Sequence, residues 1–166
     1  MNALDPGLCL GLLERLLNEE ATALAQLETQ LQREHGMLGN NDVDGLEAAG
    51  QDRQACVSRL LQIEDERQGV CRQFGRPTDY KGVESLLRWC DPRGSLLDRL
   101  RQCTDLATRC RDQNLRNGAL VNARLQRVSN LLGMMDANAA ATRTYGRYGT
   151  NSATAPANGL NFNASA

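Results

Sequence analysis

Leucines recur at alternating spacings of three and four residues through the first 40 residues of the chain. This heptad-like pattern is typical of a long amphipathic helix that packs against other helices. Asp5 and Pro6 supply an N-cap and a first helical residue, and Gly36 and the Gly39–Asn41 segment supply an end. The pattern therefore predicts a first helix over about residues 6–38. Its stripe consists of Leu10, Leu13, Leu17, Leu24, Leu27, Leu31 and Leu38, with Glu20 and Glu34 in two further stripe positions.

A second stripe of apolar residues predicts a helix over about residues 43–74. Asn41 or Asp42 can cap its start, and Gly75 followed by Pro77 ends it. The short connection to the first helix predicts an antiparallel hairpin. The second stripe consists of Leu46, Ala49, Cys56, Leu60, Ile63, Val70 and Phe74, with Arg53 and Arg67 in two of its positions.

Two more helices are predicted, a short one over residues 79–90 that braces one end of the bundle and a long one over 95–135. In the long helix, Asn114 and Asn117 occupy core-type positions and Gly118 follows them. Glycine is unfavourable inside a helix, so we expect either a bend or the close approach of another backbone there. A buried polar layer that fixes helix register is the alternative explanation for the two asparagines.

The predicted fold is therefore all-α, with a three-helix, coiled-coil-like bundle over residues 1–135. The amino-acid composition changes after residue 135. Residues 136–166 are mainly Ala, Asn, Thr, Gly and Ser. Such a composition buries too little apolar area to offset the entropy lost on ordering. We expect these residues to form a flexible tail.

The charges are nearly balanced, with 19 Lys and Arg against 20 Asp and Glu. A net charge of -1 provides no positive field for a polyanion, which disfavours binding to nucleic acid. No run of about 18 apolar residues is present, and the N-terminus lacks the charged and apolar regions of a signal peptide. We therefore expect a cytoplasmic protein that does not insert into membranes.

The residues that most often carry chemistry do not form a recognisable site. The six cysteines contain no pair at the C-x₂₋₄-C spacing of zinc sites, so we expect buried, reduced thiols. His35 is the single histidine, which excludes a di-iron carboxylate bundle and favours an exposed side chain near a helix end. Neighbouring carboxylates such as Glu64 and Asp65 diverge on a helix, and we interpret them as a solvated face with local ion pairs. With no phosphate loop or nucleophile motif present, we expect no enzymatic activity, metal or cofactor.

The end of the long helix carries more apolar residues than one partner helix requires. Methionine-rich apolar surface commonly holds another chain, although core packing would also explain it. These residues are Leu120, Val121, Leu125, Val128, Leu131, Leu132, Met134 and Met135.

Taken in order along about residues 8–149, these features resemble the FlgN-type flagellar export chaperones. The resemblance depends most on Asn114-x-x-Asn117-Gly118 followed by Tyr145-Gly146-x-x-Gly149. It is supported by three earlier segments, Leu16 to Glu20, Asn40 to Asp42, and Ile63 to Arg67.

The resemblance implies a cytoplasmic chaperone without ATPase activity. It would bind hook-associated proteins of the hook–filament junction, prevent their premature assembly and deliver them to the type III export gate, with the gate membrane protein and the export ATPase complex as further partners. Tyr145 would be a contact to the gate or the cargo. The implied cargo-binding residues are Asn114, Asn117, Gly118, Leu120, Val121, Leu125, Val128, Leu131, Leu132 and Met135. The alternative is a structural or regulatory coiled-coil protein without export cargo, whose apolar surface closes a homodimer.

Overall fold

The computed structural model describes residues 5–144, with side chains through Ala141. The described residues divide into two units, a first unit that ends at Arg124 and a second unit that begins at Leu125. The described residues form four helices: α1 (Pro6–Asn40), α2 (Val43–Gln73), α3 (Tyr80–Cys90) and α4 (Ser95–Thr144). No residue between 5 and 144 is in a β-strand, and the prediction of an all-α fold is confirmed.

Aspartates cap the first three helices; the sequence indicated Asp5 for the first, and Asn41 or Asp42 for the second. The Asp5 carboxylate accepts a hydrogen bond from the Gly7 amide at 2.8 Å. Asp42 and Asp79 cap α2 and α3 in the same way. Helix α1 continues through Gly36 and Gly39 and ends at Asn40. Its C-cap is Asn41, whose φ of 59° is the left-handed conformation that asparagine tolerates.

Helix α4 continues to Thr144, past the predicted end at Met135. Few apolar residues follow residue 135, but alanine has the highest helix propensity of any residue. Four alanines lie between Ala137 and Ala141, and this part of α4 is exposed. The remainder of the predicted tail, residues 145–166, lies outside the described residues.

The hydrophobic core lies in the first unit and surrounds α1. Several leucines of this helix are at most 1% exposed, and each buried leucine contributes on the order of 1.5–3 kcal/mol. Helix α3 closes one end of the core, and the rings of Phe74 and Trp89 pack there with centroids 5.9 Å apart. The most deeply buried large side chains are Leu13, Leu16, Leu17, Leu31, Ile63, Leu86 and Leu87.

The polar interruptions of the first two stripes pair with each other. Arg67 Nη1 lies 2.8 Å from Glu20 Oε2, and Arg53 Nε lies 3.3 Å from Glu34 Oε1. The later glutamate on α1 meets the earlier arginine on α2, so these two helices contact each other in antiparallel orientation.

Helix α4 contacts α1 through three evenly spaced side chains, which we call the α1–α4 ladder. Cys103 and Cys110 donate to the carbonyl oxygens of Leu17 and Leu24, at 3.6 and 3.5 Å. Asn117 Nδ2 donates to the carbonyl oxygen of Leu31 at 2.8 Å. Each bond joins residues 86 positions apart, so α1 and this part of α4 run parallel.

Candidate functional site

A cleft of about 590 Å³ opens in the first unit among α1, α2 and α4. It brings four of the predicted cargo-binding residues, Asn114, Asn117, Gly118 and Val121, together with residues that the sequence did not single out for binding. We call it the Glu34 cleft. Its lining consists of Glu34, Leu38, Leu46, Gly50, Arg53, Asn114, Leu115, Asn117, Gly118, Ala119, Val121 and Asn122.

Asn117 is 3% exposed and its amide group bonds within the protein. Besides its bond to the Leu31 carbonyl, its Oδ1 accepts from Gln113 at 3.1 Å and lies 3.1 Å from His35 Nδ1. This geometry favours the interpretation of Asn117 as a buried polar residue that fixes the register of α4 on α1. Asn114 is exposed and accepts a hydrogen bond from Arg53 at 3.2 Å.

Within the described residues, no other backbone lies close to Gly118. A Cβ atom built on Gly118 meets nothing within 4 Å, and the α-helix continues through this residue. The expectation of a close backbone approach is therefore wrong. Gly50, on the α2 side of the cleft, has the same open space in front of it.

Glu34 is the buried acidic group of the cleft, with its side chain 7% exposed. Its Oε1 lies 3.3 Å from Arg53 Nε, but it accepts no hydrogen bond of acceptable geometry. Burial raises the pKa of Glu34, and the positive charge of Arg53 lowers it in part. The cleft wall thus contains a buried carboxylate whose Oε1 is ion-paired with Arg53 and accepts no hydrogen bond.

The remaining predicted cargo-binding residues are exposed. Leu120 and Val121, in the first unit, are 39% and 40% exposed. In the second unit, six large apolar side chains of α4 are 53–66% exposed. We call this surface the α4 seam. The seam consists of Leu125, Val128, Leu131, Leu132, Met134 and Met135. Tyr145 lies outside the described residues.

The cysteines are free thiols and five of the six are buried, as predicted, while Cys56 is half-buried. Burial raises the pKa of Cys103 to about 11, so this thiol stays protonated. Among residues 5–144, no three His, Cys, Asp or Glu side chains form a group that could hold a metal ion. His35 is exposed near the end of α1, as predicted, and its ring contacts Asn117.

The acidic residues do more than form local ion pairs, and that interpretation was incomplete. Ion pairs also cross the α1–α2 contact. Glu66 on α2 pairs with Arg15 on α1 at 2.9 Å, and Glu20 on α1 pairs with Arg67 on α2 at 2.8 Å. The sequence signal for the missed cleft residues was the presence of Glu34 and Arg53 at apolar positions of their stripes. That signal was visible, but it did not indicate that the two residues meet.

No helix in the described part of the chain combines the length and apolarity needed to cross a membrane. Among curated proteins and among solved structures, no match to this chain was found. A protein-family model described as FlgN protein matches residues 12–153, which is most of the chain. The chain therefore belongs to the FlgN family.

Proposed function

We propose that this protein is a cytoplasmic export chaperone that binds hook-associated flagellar proteins and prevents their premature assembly. It then delivers them to the type III export gate. Membership of the FlgN family supports this role, since FlgN proteins are flagellar export chaperones rather than enzymes. The structural observation that carries the proposal is the α4 seam, because large apolar side chains exposed along one helix are characteristic of protein-binding surfaces.

The seam has the spacing needed to hold a partner helix. Leu125, Val128, Leu132 and Met135 alternate in steps of three and four along α4, which is the spacing of a coiled-coil contact. An amphipathic segment of the cargo can place its apolar face on this row. Ordering that segment lowers the net affinity, so the complex remains reversible, as delivery requires.

In this proposal, the α1–α2 pair and α4 form a coiled-coil-like bundle that carries the seam. The gate membrane protein and the export ATPase complex are the proposed delivery partners, with Tyr145 as a contact to the gate or cargo. Neither nucleic acid nor a cofactor takes part.

The second candidate is a self-associating coiled-coil protein without export cargo. It is favoured by the same spacing, because two copies of the α4 seam could cover each other in a homodimer. The two candidates differ in what the seam binds.

The test is size-exclusion chromatography with light scattering, with and without a purified hook-associated protein. We expect the double variant Val128→Asp with Leu132→Asp to lose at least tenfold in cargo affinity, because two charges would be buried against the cargo. Val43→Asp with Leu61→Asp is the matched control, since these residues are 73% and 62% exposed on α2. Unchanged cargo binding by the seam variant would contradict the assigned surface. A wild-type dimer that ignores the cargo would favour the second candidate.

A further inference from the structure

The α4 seam is followed, within the second unit, by a part of α4 that carries only small side chains. From Ala137 to Ala141 the helix consists of alanine and asparagine, and every residue there is exposed. No large side chain of this stretch stands in the way of a segment that lies along the helix towards Met135. The seam is therefore accessible from the C-terminal side.

The sequence after Thr144 contains two large apolar residues that the resemblance did not assign, Leu160 and Phe162. They are two positions apart, and residues at this spacing lie on the same side of an extended chain. The other residues from 149 to 166 are Gly, Ala, Ser, Thr, Asn and Pro, and none is charged. A segment without charges loses little hydration energy when it is placed on an apolar surface.

The length of this segment matches the distance to the seam. Leu132 precedes Thr144 by 12 residues, which is about 18 Å along the helix. For a chain of small and polar residues, the 16 residues from Tyr145 to Leu160 correspond to an r.m.s. span of about 22 Å. A linker whose r.m.s. length matches the span gives the highest effective concentration, on the order of millimolar.

We propose that the segment around Leu160 and Phe162 folds back onto the α4 seam of its own chain and covers it when no cargo is bound. The two side chains lie against Leu132 and Met135, the part of the seam nearest to Thr144. This inference rests on the proposed function and deepens it, because it adds a regulation of the same surface: the cargo binds by displacing the segment. The covered seam is also protected from association between copies.

The first test requires no cargo and uses the methionines as reporters. Met134 and Met135 belong to the seam, whereas the other two methionines, Met1 and Met37, lie elsewhere in the chain and serve as internal references. In NMR spectra of isotope-labelled methionine methyl groups, we expect Leu160→Asp with Phe162→Asp to shift the two seam signals, because an aromatic ring leaves their surroundings. The two reference signals should stay unchanged.

The matched control is Ala155→Asp with Ala157→Asp, which adds the same charges at the same separation in the same segment. It should leave all four methionine signals at their wild-type positions. Identical seam signals in the wild type and in the Leu160 and Phe162 double variant would overturn the fold-back. If the wild-type seam signals change on dilution to those of the double variant, the segment comes from a second copy, and folding back within one chain is wrong.

The second test measures competition with the cargo. We expect the Leu160 and Phe162 double variant to bind a purified hook-associated protein about three- to tenfold more tightly than the wild type in isothermal titration calorimetry, because a weak contact at millimolar effective concentration no longer has to be displaced. The alanine control should bind like the wild type. Equal affinities of the wild type and the double variant would overturn the proposed regulation.

The two tests separate the fold-back from the proposed function. If cargo binds and the methionine signals do not shift, the fold-back is wrong and the proposed function stands. If the signals shift but no variant binds cargo, the fold-back is supported and the proposed function is wrong.

Discussion

At the scale of single residues, Glu34 is a buried charge that lowers stability. It occupies a position of the α1 stripe where leucine would be expected, and it is buried with only a partly exposed arginine beside it. Taking a carboxylate out of water costs free energy that such an ion pair returns only in part. A residue that costs stability at a cleft is a common mark of a binding surface.

Because burial of the Glu34 carboxylate lowers stability, we expect the stability of the protein to depend on pH. Burial raises its pKa above the ordinary value of 4.5, so the folded state holds the proton more tightly than the unfolded state. The contribution of this carboxyl group to stability is therefore full below pH 4.5 and is lost as the pH rises through the raised pKa. We expect Glu34→Gln to raise the melting temperature by about 2–4 °C at pH 7 and to have little effect at pH 4.

Exposed Glu47 on α2 provides the control, and Glu47→Gln should leave both melting temperatures unchanged within about 1 °C. A Glu34→Gln variant that melts lower than the wild type at pH 7 would mean that the Arg53 ion pair outweighs the cost of burial. Circular dichroism melting curves at the two pH values are sufficient for this comparison.

At the scale of the elements, the helices are aligned by polar groups rather than by the leucines alone. Glu20 and Glu34 are 14 residues apart on α1, as Arg53 and Arg67 are on α2. A shift of the hairpin by one heptad would leave one charge of each kind without its partner. Leucines repeat at every turn of the stripe and distinguish such shifts poorly, so the ion pairs specify the register.

Asn117 should have a similar role between α1 and α4. Replacing it with alanine removes one buried and two partly buried polar contacts, and we expect a loss of about 1–3 kcal/mol in the free energy of unfolding. Asn114→Ala, at an exposed position one helical turn away, should cost less than about 0.5 kcal/mol. Urea denaturation measures both, and equal losses would contradict the assignment of Asn117 as the residue that fixes the register.

The starts of the helices could be predicted from sequence because caps and turns are local. Asp5 and Asp42 lie next to the helices that they begin. The Glu34 cleft could not be predicted, because its walls come from three helices whose register depends on pairs such as Glu34 and Arg53. The stripe showed that each of these residues was exceptional, but no local pattern indicates which residues across the bundle will meet.

At the scale of the whole molecule, the hydrophobic core and the exposed α4 seam belong to different parts of the chain. Every buried apolar side chain from Cys9 to Cys110 lies in the first unit, while the seam begins at Leu125. The net charge of -1 provides little repulsion between copies, so the exposed seam makes the protein prone to association when no partner covers it.

This separation predicts that the first unit is stable without the second. A chain ending at Arg124 retains all of the buried core and should melt within about 3 °C of the full chain. A chain ending at Arg109 lacks Cys110 and Asn117 and should melt much lower, because two of the three bonds in the α1–α4 ladder are gone. If the chain ending at Arg124 melts far below the full chain, the core depends on residues beyond 124.

The α1–α4 ladder also determines the order in which the chain can fold. Helices α1 and α2 are joined by a tight turn and can pair as soon as both exist, whereas each bond of the ladder closes a loop of 86 residues. Loop-closure entropy makes such distant contacts slower to form than local ones. During synthesis, the first helix therefore leaves the ribosome long before Cys103 to Asn117 are made. The side of α1 that contacts α4 stays exposed to solvent until then. Docking of α4 completes the Glu34 cleft, so a nascent chain lacks this cleft until α4 has been made and has docked.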